Sequence, residues 1–145
     1  MSDALIKDIL KRSRVIAVVG LSHKPERASF RVARFLQGKG YRVIGVNPGL
    51  AGQEMFGETV VPDLASLPDG VDMVDIFRRS EAVGPVVDAA LADIPSLKTI
   101  WMQLGVVNDA AAEKASTAGV DVVMDRCPAI EYPRLFGGLP VLPVG

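Results

Sequence analysis

Cysteine and histidine are almost absent from the sequence, with Cys127 and His23 as the only residue of each type. A single cysteine excludes an internal disulfide, and without a cluster of Cys and His the usual zinc patterns are excluded, so we expect no metal site. Long apolar runs are absent too: none approaches the ~18 residues of a membrane span. The N-terminal segment mixes charged and apolar residues, unlike a signal peptide, so we expect a soluble, cytoplasmic protein with no membrane partner.

A charge excess of either sign is also missing, because 16 Lys and Arg stand against 17 Asp and Glu, for a net charge of −1. No global field attracts nucleic acid, and any anion site must therefore be local. Aromatic residues make up only 6% of the chain, whereas hydrophobic residues make up 49%. This aliphatic composition suits an α/β fold, and 145 residues fit a single domain over 1–145.

Hydrophobic patterning predicts strands that alternate with helices after an N-terminal helix over 1–13. Buried strands are predicted at 15–19, 42–46, 71–77, 99–102 and 120–124. The alternation predicts one Rossmann-like, doubly wound α/β domain, with a five-stranded, mainly parallel sheet and helices on both faces. A glycine turn after the first strand favours the order 3-2-1-4-5, with the switch point between strands one and four. The proline-rich tail, 128–145, is expected to pack on the domain across the sheet edge. Its apolar residues are a candidate surface for a homodimer or a protein partner.

The turn at Gly20 is the most informative segment, because a strand that runs into a glycine and a helix start offers backbone amides to phosphate. It is not the dinucleotide fingerprint: in a GxGxxG pattern that starts at Gly20, the later glycine positions hold Ser22 and Pro25. Cationic and hydroxyl side chains nearby can bind phosphate oxygens. They belong to Ser22, Lys24, Arg27, Ser29 and Arg31. The alternative interpretation is a surface turn with solvated charges.

Asn47 ends the second predicted strand, where an NAD-binding domain places an acidic residue on the ribose hydroxyls. An amide in place of the acidic residue counts against NAD binding. It leaves NADP as an alternative dinucleotide, whose extra phosphate Arg27 or Arg78 can pair. Gln103, at the end of the fourth predicted strand, is a candidate ligand contact.

Catalytic signatures are scarce, since neither a GxxxxGK[ST] run nor a GxSxG run is present. Asp72 and Asp75 lie three residues apart in a predicted strand and point to opposite faces, so we assign them structural roles. Cys127 stands beside Arg126, whose positive charge favours a thiolate. We therefore expect no catalytic centre, with a Cys127-dependent thiol or acyl exchange as the alternative.

Four segments cover nearly the whole chain: IAVVGLSHKPERASFRVARFLQGKGYRVIGVNP, VDMVDIFRRSE, WMQLGVVNDAAAEKASTAGVDVVMDRC and EYPRL. Together they resemble the small standalone CoA-binding proteins, whose domain is similar to the CoA-binding part of the succinyl-CoA ligase α subunit. The resemblance implies a Rossmann-like domain that holds coenzyme A or acyl-CoA at the carboxyl ends of its strands. The phosphohistidine and nucleotide-grasping domains of the ligases have no room here, so the resemblance implies a ligand and no reaction.

The same resemblance implies where each part of CoA is held. The implied contacts are Gly20, Leu21, Ser22, Lys24, Arg27 and Ser29 at the diphosphate, Val46, Asn47 and Pro48 at the adenosine end, Phe77 and Arg78 in the middle, and Gln103, Gly105 and Val106 along the pantetheine arm.

Overall fold

The computed structural model describes residues 1–141, which form a parallel sheet enclosed by helices. The strands of the sheet are β1 (Val15–Val19), β2 (Arg42–Val46), β5 (Met73–Ile76), β6 (Thr99–Met102) and β7 (Asp121–Val123). A short antiparallel pair consists of β3 (Glu54–Met55) and β4 (Glu58–Thr59). The helices are α1 (Asp3–Arg12), α2 (Ala28–Gly38), α3 (Val83–Asp93), α4 (Asp109–Thr117) and α5 (Pro128–Phe136). No helix within residues 1–141 is long and apolar enough to cross a bilayer.

Helices cover both faces of the sheet, because its central strands are apolar on both sides. Buried side chains of α1, α2 and α5 pack on one face, and those of α3 and α4 pack on the other. Trp101 of β6 is fully buried on the α2 face, and its indole N–H donates to the Arg126 carbonyl oxygen at 2.8 Å. The predicted Rossmann-like α/β class, with a five-stranded parallel sheet, is confirmed.

The strand order is β2-β1-β5-β6-β7, which reads 2-1-3-4-5 in the numbering of the predicted strands and corrects the expected 3-2-1-4-5. The expected order needed a strand on the outer edge of β2. That edge is already occupied by the connection between β2 and β5, the crossover (residues 47–72). Val61 forms a parallel bridge with Val46, and the N–H of Val61 donates to the Gly45 carbonyl oxygen at 3.0 Å. The next strand, β5, therefore pairs with β1 instead.

A half-buried carboxylate joins the start of β5 to the start of β1. The two oxygens of Asp72 accept hydrogen bonds from the backbone N–H groups of Arg14 and Val15, at 3.0–3.2 Å. In the observed order the switch point lies between β1 and β5, whereas the prediction placed it between β1 and the fourth predicted strand, β6. Ligands of such sheets bind beyond the carboxyl ends of the strands at this point, where Gly20 and Phe77 lie.

Over residues 128–141 the predicted tail begins as a helix and packs on two other helices rather than across the sheet edge. Helix α5 packs on α1 and α2, and its Tyr132 is buried with its ring edge-on to Tyr41. Arg134 of α5 forms an ion pair with Asp3 at the start of α1. The sequence did not predict this helix because the tail is rich in proline. A proline such as Pro128 nevertheless fits the first turn of a helix. The end of the predicted tail, 142–145, lies outside the described residues.

Candidate functional site

Gly20 lies where the carboxyl ends of β1, β2 and β5 meet. Its φ angle is 87°, which glycine adopts far more readily than other residues, and an added Cβ would lie 2.5 Å from the Phe77 carbonyl oxygen. The same Cβ position lies 3.5 Å from Cδ of Arg78. The N–H of Gly20 donates to the Val46 carbonyl oxygen at 3.0 Å, so this amide is already engaged and is not open to phosphate. Gly20 shapes the turn rather than donating from it.

The loop after Gly20 is held by its own hydrogen bonds. The N–H of Ser22 donates to Ser29 Oγ at 2.9 Å, and the N–H of Lys24 donates to Ser22 Oγ at 3.1 Å. Asn47 ties the loop to the end of β2, because its Nδ2 donates to the Leu21 carbonyl oxygen at 2.8 Å and its Oδ1 accepts an N–H two residues on. The loop is therefore folded before any ligand arrives, and both serine hydroxyls keep a proton that can be donated.

Open backbone donors lie at the start of α2. The first residues of the helix, Ala28, Ser29 and Phe30, have no intrahelical acceptor for their N–H groups, and no side chain within residues 1–141 caps them. A cavity of about 410 Å³, the loop cavity, lies at this end of α2. It is lined by Gly20, Ser22, Lys24, Arg27, Ala28, Ser29 and Phe77. Neither Lys24 nor Arg27 forms an ion pair with any other described residue.

A second cavity of about 450 Å³, the α2–α5 cavity, shares Ala28 and Phe77 with the loop cavity. Its wall is lined by Ala28, Arg31, Val32, Phe35, Phe77, Gln103, Leu104, Cys127, Ala129 and Ile130. The α2 residues in this list recur at the spacing of one helix face. That spacing is visible in the sequence, but there it indicates only a core-facing stripe, so sequence reasoning missed this wall.

Two buried polar side chains face the same side of the sheet as this cavity. Gln103 is 5% exposed, and its Oε1 accepts no hydrogen bond from any residue in 1–141. Asp75 is fully buried in β5 beside Trp101, and both of its carboxyl oxygens are likewise unpartnered there. Burial raises the pKa of Asp75 well above its usual range, because no nearby cation offsets the loss of water around the charged form.

Cys127 lines the α2–α5 cavity at the position that precedes α5. It is 7% exposed. The positive charge that the sequence places beside Cys127, that of Arg126, is paired in the structure: its guanidinium Nη1 donates to Glu131 Oε1 at 2.9 Å.

Several residues predicted to contact CoA lie away from the two cavities. Val46 and Val106 pack in the core on the α3–α4 face, because strand alternation and the turn at Gly105, with a φ angle of 80°, direct them there. Leu21 is fully buried on the α2 face. Pro48 is exposed in a short 3₁₀ turn after β2. The structure therefore brings half of the predicted contacts together around the two cavities: Gly20, Ser22, Lys24, Arg27, Ser29, Phe77 and Gln103. The other predicted contacts line neither cavity: Leu21, Val46, Asn47, Pro48, Arg78, Gly105 and Val106.

Residues 14–133 match the family model described as CoA binding domain. The chain belongs to the CoA binding domain family. This confirms the resemblance seen in the sequence, and membership supports CoA as the ligand in general. A curated relative is the Uncharacterized protein YneT of Bacillus subtilis (strain 168), 41% identical over 127 residues, or 87% of this chain and 90% of YneT.

Solved structures agree with membership in the CoA binding domain family. A Thermus thermophilus protein, cell-free ID.343, is 36% identical and covers 94% of this chain and 100% of its own, with a TM-score of 0.87. The dinucleotide forming acetyl-coenzyme A synthetase 1 of Ca. Korarchaeum cryptofilum, in complex with phosphate and ADP, is 26% identical with a TM-score of 0.65. That match covers 79% of this chain and 26% of the synthetase.

Proposed function

We propose that the chain binds coenzyme A or acyl-CoA in one continuous groove, with the diphosphate in the loop cavity and the pantetheine arm in the α2–α5 cavity. The observation that carries the proposal is the shared wall, Ala28 and Phe77. Through this wall a cavity with unpaired cations continues into one lined mainly by apolar side chains. CoA has the same order of groups, an anionic diphosphate followed by an uncharged arm.

The diphosphate is assigned to the donors around the first turn of α2. The free amides of Ala28 and Ser29 and the positive end of the helix dipole favour an anion there. Lys24 and Arg27 add charge-assisted contacts, and the Ser22 hydroxyl adds a further donor. In this proposal the Gly20 turn supplies shape, whereas the sequence alone suggested that its own amide binds phosphate.

The adenosine end is assigned to the surface beside Asn47 and Pro48, which follow β2 directly next to the Gly20 turn. Because both polar atoms of the Asn47 side chain are engaged within the protein, this end is held by shape more than by side-chain hydrogen bonds. The residue after β2 is Asn47, where an NAD-binding domain carries a carboxylate for the ribose hydroxyls. The proposal covers binding alone and assigns no reaction to the groove.

Isothermal titration calorimetry with CoA, NAD, NADP and ATP tests the ligand. We expect CoA to bind more tightly than the other three, because only CoA has an arm that fills the α2–α5 cavity. Intact-protein mass spectrometry under native conditions first establishes that the protein carries no retained ligand. Absence of CoA binding at millimolar concentration, or tighter binding of NADP, would overturn the proposal.

Arg27→Gln, compared with Arg34→Gln, tests the loop cavity. Both arginines are exposed. Arg27 directly precedes α2, whereas Arg34 lies in the middle of the helix, stacks its guanidinium on the Phe30 ring and lines neither cavity. Loss of a hydrogen bond to a charged group is worth about 1.5–3 kcal/mol, so we expect Arg27→Gln to raise the Kd for CoA about tenfold or more. Arg34→Gln is expected to leave the Kd unchanged. Equal effects of the two substitutions would contradict the assignment.

A further inference from the structure

A thiol and an unsatisfied acceptor both line the α2–α5 cavity. The thiol belongs to Cys127, which is 7% exposed. Gln103 lines it too, and its Oε1 has no donor within residues 1–141 although the residue is 5% exposed. A buried carbonyl without a partner costs free energy, so such a site is suited to a ligand that brings an N–H group.

The pantetheine arm of CoA has both complementary groups, since it carries amide N–H groups and ends in a thiol. We propose that Cys127 forms a mixed disulfide with CoA by exchange with CoA disulfide, and that Gln103 Oε1 orients the arm by accepting a pantetheine amide hydrogen bond. This inference rests on the proposed function, because the arm must lie in the α2–α5 cavity for its sulfur to reach Cys127. It goes beyond it by adding a covalent, redox-dependent state of the complex.

The exchange is balanced without a further oxidant. The deprotonated sulfur of Cys127 attacks one sulfur of CoA disulfide, the bond between the two CoA sulfurs breaks, and a bond between Cys127 and one CoA forms. The other CoA leaves as a thiolate and takes up the proton that Cys127 lost. Cys127 is thereby oxidised to a disulfide, and one CoA unit is reduced to the free thiol.

Cys127 directly precedes α5 and lies in the lining of the α2–α5 cavity. The guanidinium of the preceding residue, Arg126, is held by Glu131. Two exposed apolar side chains, Leu104 at 56% and Ile130 at 53% exposure, also line the cavity and offer the arm apolar surface.

Intact-protein mass spectrometry under non-reducing conditions tests the inference. Reduced protein is incubated with CoA disulfide or, as the matched probe, with glutathione disulfide. We expect one CoA adduct, mapped to Cys127, removed by dithiothreitol and formed at least about tenfold faster than the glutathione adduct, because prior binding raises the local concentration of the disulfide. Cys127→Ser and Cys127→Ala are expected to form no adduct.

Gln103→Leu separates positioning from access. We expect it to slow adduct formation with CoA disulfide about tenfold, the worth of one hydrogen bond of about 1.4 kcal/mol, while the glutathione rate stays unchanged. Calorimetry with CoA under reducing conditions is run beside these assays. CoA binding without an adduct, or equal rates for the two disulfides, overturns the covalent inference alone. Absence of CoA binding overturns the proposed function as well.

Discussion

Replacing Gly20 by alanine should destabilise the protein through a collision at the switch point. An alanine with a φ angle of 87° carries a left-handed strain of about 1–2 kcal/mol. Its Cβ would also lie 2.5 Å from the Phe77 carbonyl oxygen, which is backbone and cannot rotate away. Relieving this contact requires the ends of β1 and β5 to separate, at a cost typical of overpacking, about 1–3 kcal/mol. We therefore expect the free energy of unfolding to fall by about 2–5 kcal/mol.

Gly119→Ala is the matched control. Gly119 has a φ angle of 82°, but its added Cβ would have no atom within 4 Å, so only the backbone strain remains. Urea unfolding of both variants then isolates the collision as the difference between them. Because Phe77 lines both cavities, Gly20→Ala should also raise the Kd for CoA, whereas Gly119→Ala, in the turn before β7, should not. Equal losses of stability, or a Kd for Gly20→Ala that matches the wild type, would refute this reasoning.

Two further substitutions probe carboxyl groups of β5 and its start, the buried Asp75 and the half-buried Asp72. Asp75→Asn should raise the free energy of unfolding at neutral pH: the unfolded chain loses this proton near about pH 3.9, while the buried carboxyl, with its raised pKa, keeps it, so wild-type stability falls as pH rises through that window. The gain should narrow towards pH ~4 in urea titrations, and a pH-independent gain would contradict this account. Asp72→Ala should lower the free energy of unfolding by about 1–3 kcal/mol, because the N–H groups of Arg14 and Val15 lose their acceptor. Asp93→Ala, at an exposed carboxylate, should change it by less than about 0.5 kcal/mol, and similar losses would speak against the anchoring role of Asp72.

The strands could be predicted because each is a short apolar run with a clear end. The bounds of β1, β2 and β6 coincide with the prediction, and β5 and β7 are shorter only at their ends. Their order could not be predicted, because it depends on Val61 reaching the edge of β2 across an irregular crossover. No local sequence pattern predicts that bridge. Helix α5 was not predicted because its prolines are a local signal against a helix, whereas the helix is stabilised by long-range packing of Tyr132.

In the candidate site, too, contacts between residues close in sequence could be predicted and long-range contacts could not. Ser22, Lys24 and Arg27 are close in sequence to the Gly20 turn, so local reasoning places them in one cavity, as the structure does. The sequence could not show that the Gly20 amide is taken by a neighbouring strand, because that contact spans 26 residues between positions 20 and 46. It also could not separate Phe35, which is only partly buried and lines a cavity, from the fully buried residues of the same helix stripe.

A net charge near zero is compatible with a local anion site, because the cations beside the groove are not paired with carboxylates of residues 1–141. Three arginines away from the groove are neutralised by carboxylates: Arg12, Arg42 and Arg134. By contrast, three cations at the carboxyl ends of β1 and β5 pair with no described carboxylate: Lys24, Arg27 and Arg78. Because salt screens charges beyond about 8 Å at physiological ionic strength, a ligand in the groove responds to these neighbours rather than to the whole chain. A balanced sequence can thus present a locally cationic pocket.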